Sequence, residues 1–92
     1  MLLLISVHQD GKMKLRIKGN SLRVRVTRSE LEKLIALGRI EDAIYFSPDE
    51  YSRLTYAIEH RPASMCTTIQ YERQEVAVLI PTNELMDWRE SD

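Results

Sequence analysis

Met13-Lys14-Leu15-Arg16-Ile17-Lys18-Gly19-Asn20-Ser21-Leu22-Arg23-Val24-Arg25-Val26-Thr27 decides the fold of this chain. Met13, Leu15 and Ile17 alternate with Lys14, Arg16 and Lys18. After the turn, Leu22, Val24 and Val26 alternate with Arg23 and Arg25. A period of two is that of a strand with one buried and one wet face. Gly19-Asn20 between the runs tolerates the positive φ that a two-residue hairpin turn needs. Pairing across it sets Ile17 opposite Leu22, Leu15 opposite Val24 and Met13 opposite Val26. Every apolar residue then falls on one face and every basic residue on the other.

Downstream, Thr27-Arg28-Ser29-Glu30 has the form of a capping box and predicts a helix start. Leu31, Leu34, Ile35 and Leu37 supply its apolar stripe, and Gly38 is a natural stop. A strand is expected over 40–46, and three more over 53–59, 65–72 and 75–80, the last three joined as an antiparallel meander. Pro81-Thr82 predicts a short helix running to Trp88. The expected fold is α+β: a mainly antiparallel sheet of about six strands, made of the basic hairpin and the C-terminal meander, with one helix after the hairpin and a short C-terminal one. No internal repeat, linker or low-complexity segment is legible.

Upstream, residues 1–12 read as an extra strand or as an extension preceding a start at Met13. Asp10-Gly11 would suit a hairpin turn. That pairing would put Leu3, Ile5 and Val7 on the basic face, so a bulge or a different partner strand is expected instead.

The chain has 92 residues, 43% of them hydrophobic and 29% charged, which fits one globular domain over 1–92. A single cysteine, Cys66, precludes an internal disulfide and leaves the cytoplasm as the default compartment. The apolar opening Met1–Val7 is far shorter than the roughly 18 residues that span a bilayer. The net charge of −1 conceals an asymmetry. Lys12, Lys14, Arg16, Lys18, Arg23, Arg25 and Arg28 crowd a stretch without Asp or Glu, leaving six basic and fourteen acidic residues elsewhere.

Nothing in the sequence points to catalysis. Cys66 sits in a strand pattern and is expected to be packed, as free cysteines usually are. His60 reads as a solvated turn residue, and the Glu41-Asp42 and Asp49-Glu50 pairs as solvated faces. No metal-ligand spacing or phosphate-binding glycine loop is present, so neither a metal nor a cofactor is expected. The candidate contact residues are Lys14, Arg16, Lys18, Arg23 and Arg25. Lys14 faces Arg25 and Arg16 faces Arg23 across the hairpin, and like charges so placed repel. The first expectation is an internal counter-charge, with Glu59, Glu72 or Glu75 on a neighbouring strand. The second is an external anionic partner, protein or DNA, since a basic two-stranded ribbon can enter a major groove.

The stretch from Met13 to Thr27, together with Trp88, resembles a family of small uncharacterised bacterial proteins of unknown function, over residues 13–92. That resemblance implies no activity. Residues 13–46 also resemble the AbrB-like swapped-hairpin domains that include the MazE antitoxins. Gly19, Asn20, Ser21, Val24 and Arg25 match their turn and strand, and Glu30-Leu31-Glu32-Lys33-Leu34 looks like their helix. The likeness implies an intertwined homodimer that binds operator DNA through the hairpin, with Arg25 as the contact. Lys18 stands where an aromatic residue often precedes the glycine, and Thr27 where proline is common. The sequence alone therefore leads to a non-enzymatic intracellular binding domain using the basic hairpin face, with a homodimeric DNA-binding regulator as the alternative.

Overall fold

The computed structural model describes residues 2–8, 12–49 and 52–90. The hairpin forms as β2 (Lys14–Lys18) and β3 (Ser21–Thr27), with Lys14 opposite Arg25, Leu15 opposite Val24, Arg16 opposite Arg23 and Ile17 opposite Leu22. Positive φ falls on Gly19, at 55°, a conformation that glycine adopts without a Cβ penalty. The upstream segment is β1 (Leu2–His8), and it does not pair with β2, so the different partner strand expected for it is what forms. It runs parallel to β3 on the edge away from β2, with Leu3 beside Leu22, Ile5 beside Val24 and Val7 beside Val26. This register puts β1's apolar alternation on the same inward face as β3, which a hairpin through Asp10-Gly11 could not do. The Asp10-Gly11 turn itself lies outside the described residues.

β3 leads straight into α1 (Arg28–Leu37). Thr27 is the N-cap: its hydroxyl accepts from the Glu30 N–H at 3.2 Å, and the Glu30 carboxylate accepts from the Thr27 N–H at 2.9 Å. The same carboxylate also accepts from the Met13 N–H at 2.9 Å, tying the start of β2 to the start of the helix. Leu31 and Leu34 are fully buried, whereas Leu37 is exposed, since the helix closes at Gly38 with φ 85°.

A second sheet follows, built from β4 (Arg39–Tyr45), β5 (Arg53–His60), β6 (Thr68–Glu72) and β7 (Glu75–Ile80), and α2 (Thr82–Glu90) comes last. The α+β class and the mostly antiparallel pairing match the sequence reading, with seven strands in two sheets among the described residues where about six in one were expected. The meander does not form. The order is β4-β5-β7-β6, with β5 parallel to β7 and β6 on the edge. Val76-Ala77-Val78-Leu79-Ile80 is a continuous apolar run, buried on both faces from Ala77 onward, which suits a central strand. β6 alternates and belongs at an edge, and the connection over 61–67 is long enough to carry the chain past that position. Both sheets and both helices feed one core of Leu22, Val24, Val26, Leu31, Leu34, Tyr56, Ile58, Val78, Ile80 and Leu85. No helix among the described residues is long and apolar enough to cross a membrane.

The topology contains a repetition that the residue identities hide. A shift of 54 positions carries β2 onto β6 and the N-cap Thr27 onto Pro81, with α2 starting where α1 would. β1 beside β3 matches β5 beside β7, both parallel. The backbone bond from the Leu2 N–H to the Asn20 carbonyl recurs as Thr55 N–H to Gln74, each 3.0 Å. Glu30 holds residue 13, and Glu84, 54 positions on, accepts from the hydroxyl of Thr67, 54 positions after Met13. The chain is thus two strand-hairpin-helix units around one core, and β4 is the only strand outside the repeat among the described residues.

Two predictions follow from this geometry. Glu30→Ala removes the cap and the Met13 anchor together, and should lower stability by about 2 kcal/mol, read as a lower urea midpoint at unchanged m-value. In the β6–β7 turn, Arg73 and Gln74 hold φ of 52° and 65° without being glycine. Replacing them with Asn-Gly should therefore raise stability by about 1 kcal/mol; no gain in melting temperature would show that the turn is unstrained.

Candidate anion-binding face

Alternation along β2 and β3 turns Lys14, Arg16, Arg23 and Arg25 away from the core, and the antiparallel register brings them into two facing pairs. Parallel β1 adds Leu4, Ser6 and His8 on the same side. These residues line a concavity of about 590 Å³ on the outer face of the sheet. Lys18 is not in it: it lies at the turn end of β2, opposite Ser21 and exposed. Four of the five candidate side chains are therefore gathered and the fifth stands apart. Ser6 and His8, joined by a 3.2 Å hydrogen bond, escaped the sequence reading because only a parallel β1 brings them there. The period of two over Leu4, Ser6 and His8 was the available signal.

Among the described residues, the counter-charge expected from within the fold does not lie on this face. None of Lys14, Arg16, Lys18, Arg23 and Arg25 forms an ion pair or hydrogen bond through its side chain with another described residue. Glu59, Glu72 and Glu75 lie on the second sheet instead, on β5, β6 and β7. There Arg39 of β4 bonds Glu59 at 3.0 Å and also Glu75, Arg61 holds the other oxygen of Glu59, and Gln70 donates to Glu72. The reason is topological. The acids sit in the second unit, on the far side of its sheet from the shared core, and their partners come from β4, β6 and the connection after β5. The hydrogen bond from Arg61, aided by Arg39, holds the Glu59 carboxyl below the usual carboxylate range against the opposing effect of burial.

This acidic cluster is the structural counterpart of the basic face. It surrounds a hollow of about 110 Å³ lined by Arg39, Glu59, Arg61, Gln70, Glu72 and Glu75 among others. Position by position, Ser6 corresponds to Glu59, Arg16 to Gln70, Lys18 to Glu72 and Arg23 to Ala77. The same frame thus presents cations in one unit and carboxylates in the other.

Cys66, expected to be packed, is exposed, because β6 begins at Thr68 rather than 65 and leaves it in the 61–67 connection. Tyr71 is exposed on β6, and Tyr56 is buried in the core, where burial and the neighbouring Asp42 carboxylate push its phenol above the ordinary value. His60 shares a 2.7 Å hydrogen bond with the Thr82 hydroxyl at the start of α2.

Residues 13–92 match a known sequence family over both hairpins and both helices. The chain belongs to a family of unknown function, DUF7009. The DUF7009 match includes all five candidate basic residues and leaves β1, with Ser6 and His8, outside it. No curated protein and no solved structure matches the chain.

A pH prediction attaches to Glu59. Its folded pKa is lowered, so its stabilisation is present above the unfolded value of about 4.3 and is lost as pH falls through the lower folded value. Wild-type melting temperature should therefore drop more steeply below about pH 4.3 than that of Glu59→Gln. Parallel curves for the two proteins would contradict the assignment.

Proposed function

We propose that this protein is a non-enzymatic intracellular binding domain whose contact surface is the basic outer face of β1, β2 and β3, and whose partner is polyanionic. One observation carries the reading. Two like-charged pairs, Lys14 with Arg25 and Arg16 with Arg23, face one another at an open concavity with no carboxylate of the described chain beside them. Directly opposed like charges destabilise a hairpin, and an acidic ligand would reverse the sign of that contribution. The apolar floor at Leu4 and Ile5 also favours a ligand with some apolar surface over a bare inorganic ion.

A second reading, a homodimeric DNA-binding regulator of the antitoxin type, draws on the shape of the hairpin. β2 is an edge strand, and with central β3 it places three arginines on the outer face of the three-stranded sheet. Strands of a sheet can enter a major groove, where arginine pairs bidentately with guanine.

Fluorescence anisotropy with labelled polyglutamate and with a labelled DNA duplex tests both. The protein should retain polyglutamate at about 50 mM salt, and Arg16→Glu with Arg23→Glu should abolish retention. If DNA is the partner and four side chains grip phosphates, the slope of log K against log salt is about −3.6, roughly a hundredfold loss over a fourfold rise in salt. Arg16→Ala with Arg23→Ala should then halve the slope. Retention of neither polymer at low salt rejects the basic face as a contact surface.

A further inference from the structure

The two units differ in one structural respect that the basic face alone does not explain. In the second unit, β5 is covered on its outer edge by antiparallel β4, with Ile58 opposite Ile40 and Tyr56 opposite Asp42. In the first unit the equivalent strand, β1, has β3 on one side and no strand among the described residues on the other. β2 and β6 are edge strands in both units, so only the outer edge of β1 is uncovered relative to its counterpart.

Three properties of β1 fit a strand waiting for a neighbour. First, the inward pointing of the Leu2 N–H to Asn20 fixes the alternation, so the N–H and C=O groups of Leu3, Ile5 and Val7 point to the open edge. In β5 the corresponding groups are used, as the His60 N–H shows by bonding the Gly38 carbonyl at 2.9 Å. Second, Leu3 and Ile5 are only half-buried, whereas their counterparts Tyr56 and Ile58 are 8% and 0% exposed beneath β4. Third, Leu2-Leu3-Leu4-Ile5-Ser6-Val7-His8 contains no Lys, Glu or Pro, the residues that ordinarily protect an exposed edge from pairing.

Charge then specifies the occupant. β4 brings Arg39 opposite Glu59 and into the acidic hollow of its unit. The equivalent position on a strand beside β1 is opposite Ser6, at the rim of a concavity lined by Lys14, Arg16, Arg23 and Arg25. The larger volume there, about 590 against about 110 Å³, is the room that such a side chain would enter. We infer that the outer edge of β1 binds an acidic polypeptide of a partner protein as an added antiparallel strand, with a carboxylate opposite Ser6 reaching the four cations. Main-chain pairing at an open edge supplies affinity and the alternate side chains supply specificity. This inference rests on the anionic-partner reading above and narrows its chemistry to acidic polypeptide.

The probe is a synthetic peptide of the β4 sequence, residues 39–45, carrying Arg39→Glu and blocked at both ends. Its control keeps the same charges and replaces both isoleucines with proline, which removes two strand N–H donors. Amide hydrogen exchange on the full chain reads the mode of binding. With saturating peptide, the Leu3, Ile5 and Val7 amides should exchange about tenfold more slowly, while Leu4 and Ser6, already bonded to β3, should change little. The proline control should bind about tenfold more weakly, and Arg16→Glu with Arg23→Glu should lose binding while keeping its thermal melt. Peptide binding without the alternating protection overturns strand addition and leaves the anionic-partner reading standing. Retention of polyglutamate but not of the peptide also overturns strand addition. Loss of both overturns the two together.

Discussion

β3 and β7 are the strands on which the rest of the structure depends. Each lies between a parallel and an antiparallel neighbour, so the strand ladders engage both of its edges. Each continues without a loop into a helix that starts one or two residues later. Their inner faces, Leu22, Val24 and Val26 from one and Val78 and Ile80 from the other, meet in a single core that takes Leu31, Leu34 and Leu85 from the helices. A buried backbone must satisfy its polar groups, and a half-buried sheet must cover its apolar face. Two units that each expose one apolar face meet both requirements by packing together.

Within that frame the outward positions of β3 and β7 are free of the core, and the two units use them differently. Arg23 and Arg25 project from β3, while Ala77 and Leu79 occupy the matching positions of β7 and are themselves covered. The second unit therefore closes its outer face with a self-contained cluster of Arg39, Arg61, Glu59 and Glu75, half-exposed and mutually neutralised. The first unit has cations in place and, among the described residues, no carboxylate paired with them. Partly exposed ion pairs contribute only about 0.2 to 1 kcal/mol each, so the closed cluster is not what makes the second unit fold. It sets which face of the molecule is electrostatically finished and which is not.

The hairpin, its register and the capped helix were legible because local rules agree there: turn residues, period-two alternation and the Thr27–Glu30 box all name the same structure. β1's place was not, because parallel pairing leaves no turn between the partners to read, and β1 and β3 are separated by a whole hairpin. The position of β5 beside β7 was missed for the same reason, since adjacency in sequence favours a meander. The repeat was invisible because Gly19-Asn20 becomes Arg73-Gln74, Thr27 becomes Pro81 and Arg25 becomes Leu79, while Val24, Glu30 and Leu31 persist as Val78, Glu84 and Leu85. What is shared is spacing and burial rather than identity. The four cations of the site could be read from alternation; which acids would stay away from them could not, because that depends on sheet membership.

The facing like charges are tolerable for a physical reason that also bears on their use. All four side chains are exposed, and at physiological salt the Debye length is about 8 Å, so their mutual repulsion is small against a core that buries Val24 and Val26 directly beneath them. The same exposure would make a neutralising internal acid worth little to stability. Stability therefore neither demands these cations nor removes them, and the fold leaves the outer face of β2 and β3 to be set by whatever meets it. A ligand that excluded water from the concavity would weaken screening there and strengthen each contact, so in such a complex the cations would contribute more than their repulsion costs the free domain.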